Sequence, residues 1–232
     1  MPREPLQVLY EDNHLLAVDK PAGLPTMGVA AGIDSLLSLA KDYIKHKYRK
    51  PGNVYLGAMS RLDAPVSGVL LLARTSKAAA RLTEQFRDRT VEKVYWAVLT
   101  GDVPRGDVPR GGECVDWIVK DERHRRMHMA TAATPGAQEA RLSYRRLHEV
   151  DGGWLVEVSL DTGRKHQIRL QLGQRGFPVV GDRKYGSPVP FSAGIALHAR
   201  RLVCMHPTRG EPLELVAPLP KSWRNFGVAE SD

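Results

Sequence analysis

The sequence predicts an α+β chain built on a long, mainly antiparallel mixed sheet with flanking helices. Segments of strand character outnumber segments of helical periodicity, and most follow one another with no helix between them. No Pro/Gly/Ser-rich stretch or charge run within the 232 residues resembles a flexible linker. A single domain over residues 1–232 is therefore expected, with its core at about 7–226 and its sheet in two lobes.

The elements follow in order. Residues 7–10 and 15–19 suit a short strand pair, with Glu11-Asp12-Asn13 as the turn. Residues 20–28, KPAGLPTMG, form a Pro/Gly-rich loop. Asp34 is placed to cap a helix running to about Lys47, with Leu36, Leu37, Ala40 and Ile44 on its inner side. Residues 67–73, SGVLLLA, read as an apolar strand. Ser76 is placed to cap a second helix, with Ala79, Leu82 and Phe86 at helical spacing. In residues 93–99, Val94, Trp96 and Val98 share one face, and Lys93, Tyr95 and Ala97 the other. Residues 101–110 duplicate GDVPR, a pattern expected of an exposed turn. Strand character returns at 113–119, 140–148, 154–160, 196–204 and 213–216, and a short helix is expected from about 165 to 174.

Composition narrows the function. Lysine and arginine number 34 against 26 acidic residues, a net charge of +8, which points to a polyanionic partner. Basic residues gather at 41–50 (KDYIKHKYRK), at 123–126 (RHRR), and at Arg164, Lys165 and Arg169. The first two clusters suit solvated surface. No apolar run approaches the roughly 20 residues of a bilayer span. The start, MPREPLQVLYEDNH, is charged where a signal peptide needs its apolar stretch, so a cytoplasmic protein is expected. Cys114 and Cys204 lack metal-ligand spacing and fit reduced thiols.

Walker, GxGxxG, HExxH, CxxC and GxSxG patterns do not occur in the sequence, so neither a cofactor nor a metal is expected. His124 and His128 are spaced like helical metal ligands, but the arginines around them favour a plain surface position. Three segments remain. In Arg61-Leu62-Asp63, an extended backbone would aim Arg61 and Asp63 to one side. Lys93 and Tyr95 share a strand face. In LDTGRKHQIRLQL, residues 160–172, a helix start carrying Arg164, Lys165, His166 and Gln167 suits an anion such as a phosphate. Arg169, one helical turn after Lys165, invites a nearby countercharge.

Together these segments resemble the RluA-type pseudouridine synthases over nearly the whole chain. The central motif of that family is similar to SRLDAPVSGVLLL (60–72), with Asp63 at the place of its essential aspartate. KVYWA (93–97) resembles the motif that supplies its active-site tyrosine, and TGRKHQIR (162–169) its third motif. YEDNHLLAVDKPAGLPT, FPVVGDRKYG (177–186), and the LHARRL and HP elements within 197–220 fit as well. The chain departs from the family at Ser60, Pro65, Val66, Lys165, Gln171 and Phe177.

The resemblance implies a pseudouridine synthase fold with a central active-site cleft; the separate S4-type domain of many relatives is not expected, since the core begins by about Gln7. It also implies isomerisation of uridine in ribosomal or transfer RNA, with the base turned out of its stack. Asp63 would be the essential carboxylate, held ionised by a pairing with Arg169. Tyr95 would support the detached base and accept a proton from C5. Arg61 would hold the flipped conformation, and Lys93, Arg164, Lys165, His166, Gln167 and Ile168 would lie at the RNA. No second carboxyl stands in these motifs for glycosidase chemistry. No obligate protein partner is implied, and a monomer is expected. The competing readings are a catalytically inactive RNA-binding homologue, suggested by Ser60, Pro65 and Val66, and a uracil-releasing glycosylase.

Overall fold

A computed structural model describes residues 6–30, 32–100 and 108–228. Most of the GDVPR duplication, residues 101–107, lies outside the described residues. The chain divides into two compact units, Met1–Val91 with Ala199–Pro218, and Glu92–His198 with Leu219–Asp232.

In the first unit, strands β1 (Gln7–Glu11), β2 (Leu15–Lys20), β4 (Ser67–Ala73) and β10 (Leu197–Met205) lie in that order. Strand β3 (Gly57–Ala58) pairs with β4, and β11 (Pro212–Val216) with β10. All seven residues of β4 are buried, which explains why its sequence is uniformly apolar rather than alternating. Helix α1 (Leu36–Lys47) is capped one residue later than expected. Ser35 accepts from the backbone of Ser38, and the Ser38 hydroxyl returns the bond, so a serine pair takes the place assigned to Asp34. Likewise Thr75, not Ser76, caps helix α2 (Ser76–Arg87). Ala78 and Leu82 of α2 join Leu15, Ala17, Val69, Leu71, Leu202 and Leu215 in the core.

The second unit contains β5 (Glu92–Leu99), β6 (Gly111–Asp121), β7 (Arg126–Ala130), β8 (Gln138–Val150), β9 (Gly153–Leu160) and α3 (Gln167–Gln174). The strand order is β5-β9-β8-β6-β7, with each neighbouring pair antiparallel. Strand β7 was not expected. The RHRR run ends in a hairpin strand whose Met127 is buried against Ile118, Ala140, Leu170 and Tyr185. With only Met127 buried among five residues, β7 carries too little apolar alternation to read as a strand. Helix α3 begins at Gln167, two residues later than expected, because His166 adopts a left-handed backbone (φ 53°) and breaks the helical path.

Candidate active site

Asp63 sits in the first unit, in the loop that leads into β4. The exposure along Arg61, Leu62 and Asp63 is exposed, buried, half-buried, as an extended backbone requires. Three contacts fix this loop. Buried Thr26 bonds both backbone groups of Leu62: its hydroxyl donates to the carbonyl at 2.8 Å and accepts from the amide at 3.2 Å. The Val66 amide donates to the Asp63 carbonyl at 3.0 Å, closing a turn over Ala64 and Pro65. The Gly23 amide and the Lys20 ammonium both donate to the Ala64 carbonyl, at 2.7 and 3.1 Å. The departures Pro65 and Val66 therefore sit in a well-formed turn rather than in the place of Asp63.

Lys20 is the residue that sequence reasoning missed here. Its side chain is fully buried and also donates to the carbonyls of Pro21 (2.9 Å) and Leu24 (2.7 Å). Burial pushes its ammonium down to about 8, against the opposing pull of Asp63 and then Asp19. Asp63 therefore lies in the field of a dry cation from its own unit. The signal was present in the sequence: a lysine placed directly after the apolar run LLAV and before Pro21 has nowhere to go but inward. Behind it, burial raises the Asp19 carboxyl to about 6, although the Gly68 amide and Lys20 oppose the shift.

Tyr95 and Arg169 belong to the second unit. Tyr95 pairs with Val158 and Val158 with Tyr144, while Leu142 and Ala140 follow on the same face of β8. Ala140 packs against Leu170 of α3. Tyr95 thus projects from the sheet face that α3 covers, and Trp96 from the other, as the alternation predicted. Lys93 and Tyr95 are half-buried.

Arg169 is buried at the centre of α3, and its guanidinium makes a two-pronged pair with Asp182: Nε to Oδ2 at 2.6 Å and Nη2 to Oδ1 at 3.0 Å. The ring of Tyr185 lies 5.1 Å from the guanidinium carbon. The countercharge expected for Arg169 thus includes a carboxylate 13 positions along the chain. Lys165 precedes α3 and makes no helical pair with Arg169.

The turn before α3 differs from expectation. Gln167 is buried and spends its amide internally: Oε1 accepts from Thr162 Oγ1 (2.8 Å) and the Arg164 amide (2.9 Å), and Nε2 donates to the Arg141 carbonyl (2.9 Å). Ile168 is buried too. Both were expected at the RNA; instead their side chains shape the turn from beneath. The Arg164 amide, expected as part of a phosphate-binding helix start, is satisfied by Gln167. Lys165 remains exposed, and Arg164 and His166 half-exposed. The departure Gln171 ties α3 to the sheet through bonds to the Cys114 and Ala140 carbonyls and to Asp116.

His124 and His128 lie on the β6–β7 hairpin, both within hydrogen-bond distance of Asp121 Oδ2, at 2.7 and 3.0 Å. Among the described residues, no group of three or more His, Cys, Asp or Glu is disposed to hold a metal ion. Cys114 and Cys204 are buried, unbridged thiols, each pushed up to about 11 by burial. No helix among the described residues is long and apolar enough to cross a membrane.

Residues 14–174 match the family model described as RNA pseudouridylate synthase, a stretch that includes Asp63, Tyr95 and Arg169. The chain is 34% identical over 234 residues to a ribosomal large subunit pseudouridine synthase D of Xanthomonas campestris, covering 94% of this chain and 67% of that protein. It is 32% identical over 235 residues to the protein of that name from Pseudomonas aeruginosa, covering 94% and 69%. Among solved structures, human RNA pseudouridylate synthase domain containing 4 aligns with a TM-score of 0.75 at 27% identity, covering 94% of this chain and 92% of the other.

Proposed function

The chain belongs to the RNA pseudouridylate synthase family, and on that premise we propose that Asp63 is the carboxylate through which it acts. It is an RNA pseudouridine synthase of the RluA type with an α+β fold. The observation that carries the assignment of Asp63 is its setting. It is a half-exposed carboxylate on a loop clamped by Thr26 and Val66, with a buried ammonium behind it.

In this reading the enzyme is one domain that works as a monomer in the cytoplasm, without cofactor or obligate protein partner. Arg169 is a further member of the catalytic set in this reading. A guanidinium has five N–H donors, so the bond to Asp182 does not exhaust Arg169. Arg61 holds the turned-out nucleotide, and Lys93, Arg164, Lys165 and His166 meet the RNA backbone. Asp63 opens the reaction at the ribose, by attack on C1′ or by removal of the 2′ proton. The N1–C1′ bond breaks, the uracil turns, and C5 bonds to C1′. The C5 proton leaves through Tyr95 and N1 gains one, so the product is an isomer of the substrate. The names of the relatives make large-subunit ribosomal RNA the first substrate to try.

The test is site mapping of pseudouridine in RNA from cells lacking this gene, after incubation with the wild-type protein or Asp63→Asn. New pseudouridine with the wild type alone is expected. Equal modification by the variant would remove Asp63 from the chemistry. A primary isotope effect with 2′-deuterated uridine would select proton removal over attack on C1′.

A further inference from the structure

We propose that Asp182 is the positioning residue for Arg169, fixing the guanidinium in the orientation the isomerisation uses. This rests on the role given to Arg169 above. It also gives a task to FPVVGDRKYG, a motif that the reaction itself does not occupy.

The turn is built to hold one carboxylate still. The Asp182 amide donates to the Val179 carbonyl at 3.0 Å. The Asp182 carbonyl accepts from the amides of Tyr185 (3.0 Å) and Ser187 (3.1 Å). Gly181 precedes it with φ +86°, where an added Cβ would stand 2.8 Å from the Gly194 carbonyl oxygen. A short 3₁₀ turn, Arg183–Tyr185, follows. The backbone on both sides of the carboxylate is thus locked.

The pair itself is dry, with side-chain exposures of 7% for Arg169 and 1% for Asp182. Two parallel bonds through Nε and Nη2 set the plane of the guanidinium, which a single bond would not do. Tyr185 limits the remaining freedom, because its ring lies beside the guanidinium and its hydroxyl is held at 2.7 Å by His166 Nδ1 and at 3.0 Å by the Met127 amide. A long side chain ordered before substrate arrives spares the reaction the entropy of ordering it then. An ion pair that served stability alone would need neither the fork nor the aromatic floor, since apolar residues of like volume often replace such pairs without loss.

The experiment compares Asp182→Asn and Asp182→Glu with wild type in single-turnover isomerisation at saturating RNA, alongside RNA affinity and thermal unfolding. Asp182→Asn is expected to slow the chemical step about 100-fold, with RNA affinity held within about three-fold. In an Arg169→Lys background, where no fork can form, the same change is expected to cost less than about three-fold more. An equal loss in both backgrounds, or a wild-type rate in Asp182→Asn, would overturn the proposal. Asp182→Glu keeps the charge but shifts the fork by a methylene, and is expected to be folded and about 10-fold slower. A wild-type rate in that variant, or failure of both variants to fold, would also overturn it. If the wild type itself makes no pseudouridine, the functional reading fails and takes this inference with it. An active wild type beside an equally active Asp182→Asn sinks this inference alone.

Discussion

Replacing Lys20 with methionine separates the structural work of the buried ammonium from its charge. Methionine fills similar space, so little of the effect comes from a cavity. The carbonyls of Pro21 and Leu24 lose this donor, while that of Ala64 keeps the Gly23 amide. A buried acceptor left unpaired costs about 1–3 kcal/mol, and with two part-buried carbonyls affected the gross loss is about 2–4 kcal/mol. Removing a fully desolvated ammonium returns part of that. The expected net is a destabilisation of about 1–3 kcal/mol, or roughly 3–9 °C in the thermal midpoint for a chain of this size. Urea unfolding followed by far-ultraviolet circular dichroism measures it.

The pH dependence supplies a second signature. Lys20 falls from an ordinary 10.5 to about 8 in the folded protein. Between those values the unfolded chain binds the extra proton, so this group makes folding more favourable as pH rises from about 8 to 10.5. Lys20→Met should lack that rise. If the variant unfolds within about 0.5 kcal/mol of wild type, with the same slope above pH 8, the carbonyl cage does not hold the Asp63 loop.

The remaining expectations concern the same unit and its substrate. Asp63→Asn should abolish isomerisation while RNA affinity stays within a few-fold by filter binding; appreciable turnover would refute its role. RNA affinity should fall steeply between 50 and 200 mM salt, through loss of Lys and Arg contacts to phosphate, and a flat response would exclude the basic surface as the docking face. Asp19, raised to about 6 from an ordinary 3.8, keeps its proton in the folded protein where the unfolded chain has lost it. Stability should therefore fall as pH rises from about 4 to 6, and Asp19→Asn should flatten that slope in urea titrations. Gly68→Ala places a Cβ 2.3 Å from the Ala199 carbonyl oxygen at φ +113°, so a loss of more than about 3 kcal/mol is expected. A soluble variant with an unchanged midpoint would contradict that packing.

The parts of this fold legible in the sequence are those whose burial is decided locally. Strand β4 declared itself because an unbroken apolar run suits a strand covered on both faces. The alternation around Tyr95 declared its face in the same way. Strand β7 did not, because its place is set by pairing with β6 and by Met127 packing under α3 rather than by its own composition. The start of α3 is expected too early because nothing local announces a left-handed histidine. The resemblance singles out Asp63, Tyr95 and Arg169, and it spans Lys20 and Asp182 without giving either a task. Lys20 sits 43 positions before Asp63 and Asp182 13 positions after Arg169, and a periodicity window reaches neither.

These supports decide what the loss of Asp63 can be made to report. Each unit holds a buried cation, Lys20 in the first and Arg169 in the second. A buried cation that relied on Asp63 alone would be stranded by Asp63→Asn, and the variant would lose activity by unfolding. Neither cation is in that position. Lys20 is held by three carbonyls and Arg169 by the carboxylate of Asp182, each from within its own unit. The carboxylate at position 63 can then be neutralised with little structural cost, and its thermal midpoint should stay within a few degrees of wild type.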